Sequence, residues 1–281
     1  MKANPCYSPL MRQVRLVGIF LVLWLVAFIP VAWPASSSVF LEDLTWTEVR
    51  DALQAGKTTV IIPVGGTEQS GPHMGLGKHN ARVKVLADKI ASDLGNTLVA
   101  PVVAYAPEGS ISPPVGHMRF PGTISVSPDA FKAILDGAAR SLKQHGFINI
   151  VLIGDHGGYQ HLLKEVASHL NREWAATPTR VHFIADYYQA ANINYVQVLR
   201  EQGLSEEKIG RHAGAADTSL MIATDASLVR TGELLRDPRK EPNSGIVGDP
   251  RAATLRLGKI GVDLIVSQTV MAIRAAQNRQ R

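Results

Sequence analysis

Apolar positions along the chain fall into two rhythms. Four stretches, "TTVIIPVG" (58–65), "TLVAPVVAY" (97–105), "FINIVLIG" (147–154) and "RVHFIAD" (180–186), are apolar on both faces, as strands covered on two sides must be. Between them the period changes to that of a helix. "LTWTEVRDALQAG" places Thr45 and Glu48 at capping-box spacing and stops at Gly56, the signature of a short capped helix. "ARVKVLADKIASDLG" repeats Val83, Leu86, Ile90 and Leu94 before Gly95, one apolar helical stripe. Ser127-Pro128 open another helix that runs to Gly146, with Ser as cap and Pro in the first turn. "DHGGYQHLLKEVASHLNREW" turns out of the third strand into a helix, and "DTSLMIATDASLV" and the segment from about Ala252 also read as helical.

Alternation of buried strands with helices predicts one α/β domain, a mostly parallel sheet with helices on both faces. Such sheets bind ligands beyond the carboxyl ends of their strands. "APEGSISPPVGHMRFPGTIS" (106–125) is too long for a simple connection and is expected to be functional.

The first 37 residues follow other rules. Lys2, Arg12 and Arg15 surround the start of "LVGIFLVLWLVAFIPVAW", which leads into "PASSS", and no acidic residue precedes position 38. This is the layout of an export signal, with Ala35-Ser36-Ser37 suited to cleavage. The apolar run is also long enough to span a membrane. The expectation is a signal peptide over 1–37 and a periplasmic or secreted domain over 38–281, with inner-membrane anchoring if the leader is retained. Three of the formal charges behind the net +5 lie in that leader, so the rest carries only +2. No basic run interleaved with aromatics remains to track phosphates, and nucleic acid is excluded as a partner. Cys6 is the single cysteine, so disulfides and thiolate metal ligands drop out of the domain.

Candidate chemistry gathers at two strand ends. "TEQSGPHMGLGKHN" (67–80) follows the first strand and carries Glu68, His73 and His79; Asp155-His156 follow the third. Imidazole and carboxylate suit zinc, although a loop histidine is often only a spacer, and spacing alone leaves the metal open. Gly157 and Gly158 serve either a tight turn or a close backbone approach to substrate. Ser70 lies in "EQSGP", outside the G-x-S-x-G pattern of a nucleophile elbow.

"PVGGTEQSGPHMGLG", "FPGTISVSPDAF", "HGFINIVLIGDHGG", "HAGAADTSLMIA" and "GIVGDPRAAT" occur in this order from about Leu44 to the C-terminus. Together they resemble the creatininase family, metal-dependent hydrolases of C–N bonds in amides and cyclic amides. The resemblance implies a three-layer α/β/α sandwich, a homo-oligomer (often a hexamer) and a small-molecule amide substrate. Glu68 matches the family's first metal ligand and His156 the ligand His of its Asn-Gly-His-Gly-Gly block, with Asp155 in place of Asn. His73 matches a neighbour of the metals. Ser70 stands where the family has a metal-binding His, and His79 where it has the Asp that bridges two metals. Asp217 stands where a Glu is common, and His212 matches a histidine tied to substrate contact and proton transfer.

A neutral imidazole offers one lone pair to one metal, so His79 cannot bridge as a carboxylate does. The resemblance so modified implies a mononuclear site of Glu68, His79 and His156, holding a divalent metal, zinc first and manganese or iron as alternatives. His212 or Asp217 is expected to move the proton. His117 and its loop line the substrate pocket, and the Gly157 and Gly158 amides steady the oxyanion. The rival expectation is a binding protein that kept the fold and lost the chemistry.

Overall fold

A computed structural model describes residues 38–237 and 243–279. The expected leader lies outside the described residues. Among the described residues no helix is long and apolar enough to cross a membrane.

Four parallel strands form the sheet: β1 (Thr59–Val64), β2 (Thr97–Val99), β3 (Asn149–Gly154) and β4 (Arg180–Phe183), in the order β2-β1-β3-β4. The order reverses between β1 and β3, which run side by side from Thr59↔Asn149 to Val64↔Gly154. β2 is shorter than its apolar pattern predicts. Pro101 follows almost at once and has no N–H to give the ladder; the chain regains β1 only through the Val64↔Val103 bridge.

Eight helices of five residues or more are described: α1 (Trp46–Gln54), α2 (Lys78–Leu94), α3 (Pro128–Gln144), α4 (Gln160–Glu173), α5 (Ala185–Gln189), α6 (Tyr195–Glu201), α7 (Ala215–Asp225) and α8 (Leu255–Asn278). The Thr45–Glu48 capping box of α1 and the Ser127 cap of α3 form as expected. α5 and α6, joined through a π-helical turn at Ala190–Asn194, were not legible in the sequence pattern.

Alternate residues of the central strands feed two cores. Ile61 of β1 and Val151 and Ile153 of β3 pack with Val83 and Leu86 of α2 and Ile265 and Ile273 of α8. Val60, Ile62 and Val64, with Ile150 and Leu152, pack with Phe131 and Leu135 of α3 and Leu163 and Leu170 of α4. The result is the expected three-layer α/β/α sandwich. Each of these side chains, buried in full, contributes about 1.5–3 kcal/mol. On the first face α8 lies tight against α7: a Cβ on Gly258 would fall 1.9 Å from the Ser219 carbonyl oxygen. That contact holds α7 with its first turn facing the end of the sheet.

Candidate active site

The carboxyl ends of β1 and β3 open into a cleft of about 400 Å³ at the reversal of strand order, where open α/β sheets bind ligands. The loop after β1 presents Glu68 and Gln69. The first turns of α2 bring Lys78, His79 and Arg82, and the loop after β3 brings Asp155 and His156. The long loop before α3 supplies Glu108 and His117, and the approach to α7 supplies His212 and Asp217. Gly66 has φ +151°, and a Cβ there would lie 2.2 Å from Glu108 Oε1. Only glycine allows both that turn and that carboxyl.

Glu68 is the centre. It is fully buried, and four imidazole nitrogens surround its carboxylate. His79 Nε2 is 2.8 Å from Oε1 and His212 Nδ1 3.8 Å from it; His117 Nε2 and His156 Nε2 are 3.1 and 3.5 Å from Oε2. Oε2 has no hydrogen-bond partner. Two candidate metal sets result, both containing Glu68: one with His79 and His156, the other with His117 and His212.

The nitrogens that face away from Glu68 distinguish the two sets. His79 Nδ1 is hydrogen-bonded to Asp155 Oδ2 at 2.6 Å; His156 Nδ1 lies 3.3 Å from Glu108 Oε2 without a hydrogen bond to it and accepts from the Gly158 N–H. A carboxylate behind the imidazole is the usual support of a metal-bound histidine, because it takes Nδ1–H and aims the Nε2 lone pair at the ion. His117 differs: the Gln69 side-chain amide, whose Oε1 accepts from Gly71 N, donates to His117 Nδ1 at 3.0 Å. The hydrogen of His117 therefore sits on Nε2, the atom facing Glu68. His212 Nε2 donates to the Gln69 backbone carbonyl at 2.9 Å, so its lone pair is on Nδ1.

Charge balance comes from the first turns of α2. Lys78 Nζ lies 3.3 Å from Asp217 Oδ2 and 3.6 Å from Glu68 Oε1. Arg82 joins Asp155 at 2.7 Å and Asp217 at 2.8 Å. Tyr187 Oη donates to Asp155 Oδ1 at 2.6 Å. Burial opposes a charge on His79, as does nearby Lys78, but its bonds to Asp155 and Glu68 outweigh both and raise its pKa. Burial would also protonate Glu68, Asp155 and Asp217. The cations beside them prevail: His79 and Lys78 at Glu68, Arg82 and His79 at Asp155, and Lys78 and Arg82 at Asp217. Three carboxylates thus face three cations. Glu108 is different: burial, then the negative charge of Glu68, pushes its carboxyl up to about 8. Burial, then the charge of His79, takes His156 down to about 3; burial, then Lys78, takes His212 down to about 4.

Among the residues expected from sequence, Glu68, His79, His156, His117, His212 and Asp155 meet here. Two departures from the family pattern turn out to be partners: His79 in place of Asp and Asp155 in place of Asn make the 2.6 Å contact. Asp217 is committed to Lys78, Arg82 and the Ala213 amide (2.9 Å) and is held ionised, so it supports the site and does not carry its proton. The Ala213 amide is presented with φ +55°, an uncommon backbone for alanine. His73 is buried with Nε2 on Thr218 Oγ1 at 3.0 Å, bracing α7 at a distance from Glu68. Gly157 lines the cleft, whereas the Gly158 N–H points to His156 Nδ1 at 3.3 Å. Ser70 is buried and its hydroxyl has no partner. The sequence reading missed Lys78, Arg82, Gln69 and Glu108. Arg82 carried a signal, standing one turn before Leu86 and Ile90 on an apolar stripe.

The donor set fits a cation of the zinc class. Tetrahedral ligands at ~2.0–2.1 Å from an ion sit about 3.3 Å apart, a spacing approached by one ligand atom each of Glu68, His79 and His156, which all lie within 4.8 Å of one another. The unpartnered Glu68 Oε2 is the atom such an ion would satisfy.

Known proteins agree with this fold. The profile of creatininase (creatinine amidohydrolase) matches residues 42–273. Creatinine amidohydrolase of Pseudomonas putida is 25% identical over 256 residues, covering 85% of this chain and 97% of that one. The mycofactocin precursor peptide peptidase of Mycolicibacterium smegmatis is 27% identical, covering 71% of this chain and 78% of its own. A crystal structure of creatinine amidohydrolase superposes with a TM-score of 0.71 at 25% identity over 85% of this chain and 97% of that one. A manganese creatininase gives 0.70 at 25% identity over 85% and 98%, and a creatininase mutant of the Zn–Zn type 0.70 at 25% over 86% and 99%. The chain belongs to the creatininase family of amidohydrolase-like hydrolases.

Proposed function

We propose that this protein hydrolyses a C–N bond of a small amide or cyclic amide, with one divalent cation held by Glu68, His79 and His156. One observation carries the reading: a buried carboxylate with an unpartnered oxygen faces two imidazoles, one bonded to a second buried carboxylate and the other 3.3 Å from a buried, unpartnered carboxyl group. The cation would be zinc or manganese, the metals of the Zn–Zn type and manganese creatininases to which this fold is similar. When bound, it supplies a Lewis acid and lowers the pKa of water toward ~7.

The chain's own residues do the rest. His79 and His156 must present neutral Nε2 lone pairs to ligate. Asp155 holds the Nδ1–H of His79. Glu108 sets the tautomer of His156: ionised, it takes Nδ1–H, and protonated, it donates to Nδ1 and blocks Nε2. His212, with Nδ1 free and facing the cleft, receives the proton of the attacking water and returns it to the leaving nitrogen. Its ring is kept in place by the Gln69 carbonyl. His117 lines the cleft with its Nε2–H toward Glu68, where its ring borders the substrate. The same proposal includes an export leader over residues 1–37, read from the sequence alone, and with it action in the periplasm or outside the cell.

One observation favours the second reading, a fold kept for binding alone: Glu68, Asp155 and Asp217 are already neutralised by Lys78, His79 and Arg82. Elemental analysis of the untagged full chain, purified without chelators, separates the two readings. About one equivalent of zinc or manganese is expected, with activity on an amide panel lost on chelation and in Glu68→Gln. Absence of metal after incubation with either ion would establish the binding protein.

A further inference from the structure

Resting on that reading, we infer that Lys78, braced by Arg82, is a built-in cation that takes the place of a second metal ion and limits the site to one. Lys78 is 1% exposed, and it is the first residue of α2, after the Gly77 cap. Both features oppose a cation: burial strips its water, and the helix N-terminus carries positive partial charge. Solvent does not hold this ammonium in place; Asp217 Oδ2 at 3.3 Å and Glu68 Oε1 at 3.6 Å do.

The same contacts use up what a second ion would need. Asp217 Oδ1 takes Arg82 Nη1 at 2.8 Å, and Oδ2 is shared by Lys78 and the Ala213 amide. Both of its oxygens are therefore committed to protein donors. At the position of a further imidazole ligand the chain has Ser70, a neutral hydroxyl. A divalent ion near Glu68 Oε1 on this side would meet the Lys78 charge directly. The ammonium donates to Asp217 Oδ2 and stands at ion-pair distance from Glu68. Lys78 also lines the cleft, within reach of a substrate oxygen. The fixed charge would supply, at lower strength, the polarisation that a second cation gives in a paired site.

The test is metal stoichiometry, read by elemental analysis and by calorimetric titration of the metal-stripped full chain with Mn²⁺ and Zn²⁺. Saturation at one equivalent, without a second isotherm at millimolar ion, is expected. Lys78→Met leaves Glu68 and Asp217 without that cation and should raise the count from one to two; Lys78→Arg, which keeps the charge, should stay at one. Two equivalents in the unaltered protein overturn the inference and leave the hydrolase reading standing. So does a Lys78→Met protein with unchanged circular dichroism that still binds one ion with unchanged affinity. No binding in the unaltered protein overturns the hydrolase reading and the inference with it. If Lys78→Met fails to fold, the stoichiometry of the unaltered chain and of Lys78→Arg still decides.

Discussion

The two imidazole pairs that share Glu68 differ in what stands behind them. His79 is bonded to Asp155, and His156 has the carboxyl group of Glu108 3.3 Å behind it; both are buried carboxyl groups, carried by the loops that leave β3 and β2. His117 and His212 are backed by Gln69, an amide and a carbonyl with no charge to lend. A carboxylate behind an imidazole makes it a better metal ligand. A neutral partner that fixes the tautomer leaves the ring free to gain and lose a proton. The difference assigns metal holding to one pair and proton and substrate handling to the other, although the distances to Glu68 overlap.

The sharpest way to break that division is to remove one ring from each side. His212→Gln should lower kcat by about 10²–10⁴-fold, the usual contribution of a placed acid–base group, with metal content unchanged. If metal were lost together with activity, His212 would be a ligand and the division would fail. A smaller effect is expected behind His156. Glu108→Gln should weaken metal binding by about 10–100-fold, as loss of such a backing group usually does. In the unaltered protein affinity should rise as pH climbs toward about 8, where the Glu108 carboxyl ionises. Calorimetry at several pH values checks both. An affinity that is flat with pH and unmoved by the substitution would show that Glu108 does not govern the tautomer.

Much of this was legible before the structure. Both-face apolar runs gave the strand positions, and the strand-end rule placed Glu68 and His156 in one crevice, because β1 and β3 are neighbours. The charge network was less legible, for a physical reason. A buried Lys or Arg near a helix start has the same local pattern as an exposed one; only the carboxylates brought from α7 and from beyond β3 tell them apart. Arg82 was the exception, since its place on the Leu86–Ile90 stripe already pointed inward. Conversely, Ser70 and His79 read as losses one at a time. The Asp155 substitution, 76 positions beyond His79, shows that the second of these is one half of a new pair.

The smallest effect is on stability, and it reports the same division without substrate or metal. In the metal-free protein His73, His156 and His212 are held down to about 4, 3 and 4, chiefly by burial. The unfolded chain takes up protons at these three positions from about pH 6.5 downward, whereas the folded one does not. Folding stability is therefore lost as pH falls. Glu108, raised to about 8, works the other way: between about pH 4.5 and 8 the folded form keeps a proton that the unfolded chain releases. From pH 6.5 to 4.5 these three groups oppose one, and His117, also lowered by burial, adds to their side, so unfolding takes up a net of at least about two protons. Stability should then fall by about 2 kcal/mol per pH unit, allowing for partial exposure of His156 and His212. Above pH 6.5 the sign reverses. Glu108 favours the unfolded chain until pH passes about 8, and the protonated His79, whose pKa is raised in the fold, loses its contribution as pH rises through that value. Urea midpoints of the metal-free protein should peak near pH 6.5, and Glu108→Gln should flatten the alkaline limb and steepen the acid limb, where the proton that offsets the histidines is gone. An alkaline limb unchanged by that substitution would mean that Glu108 is already ionised in the fold, and the pH dependence of metal affinity assigned to it would fail.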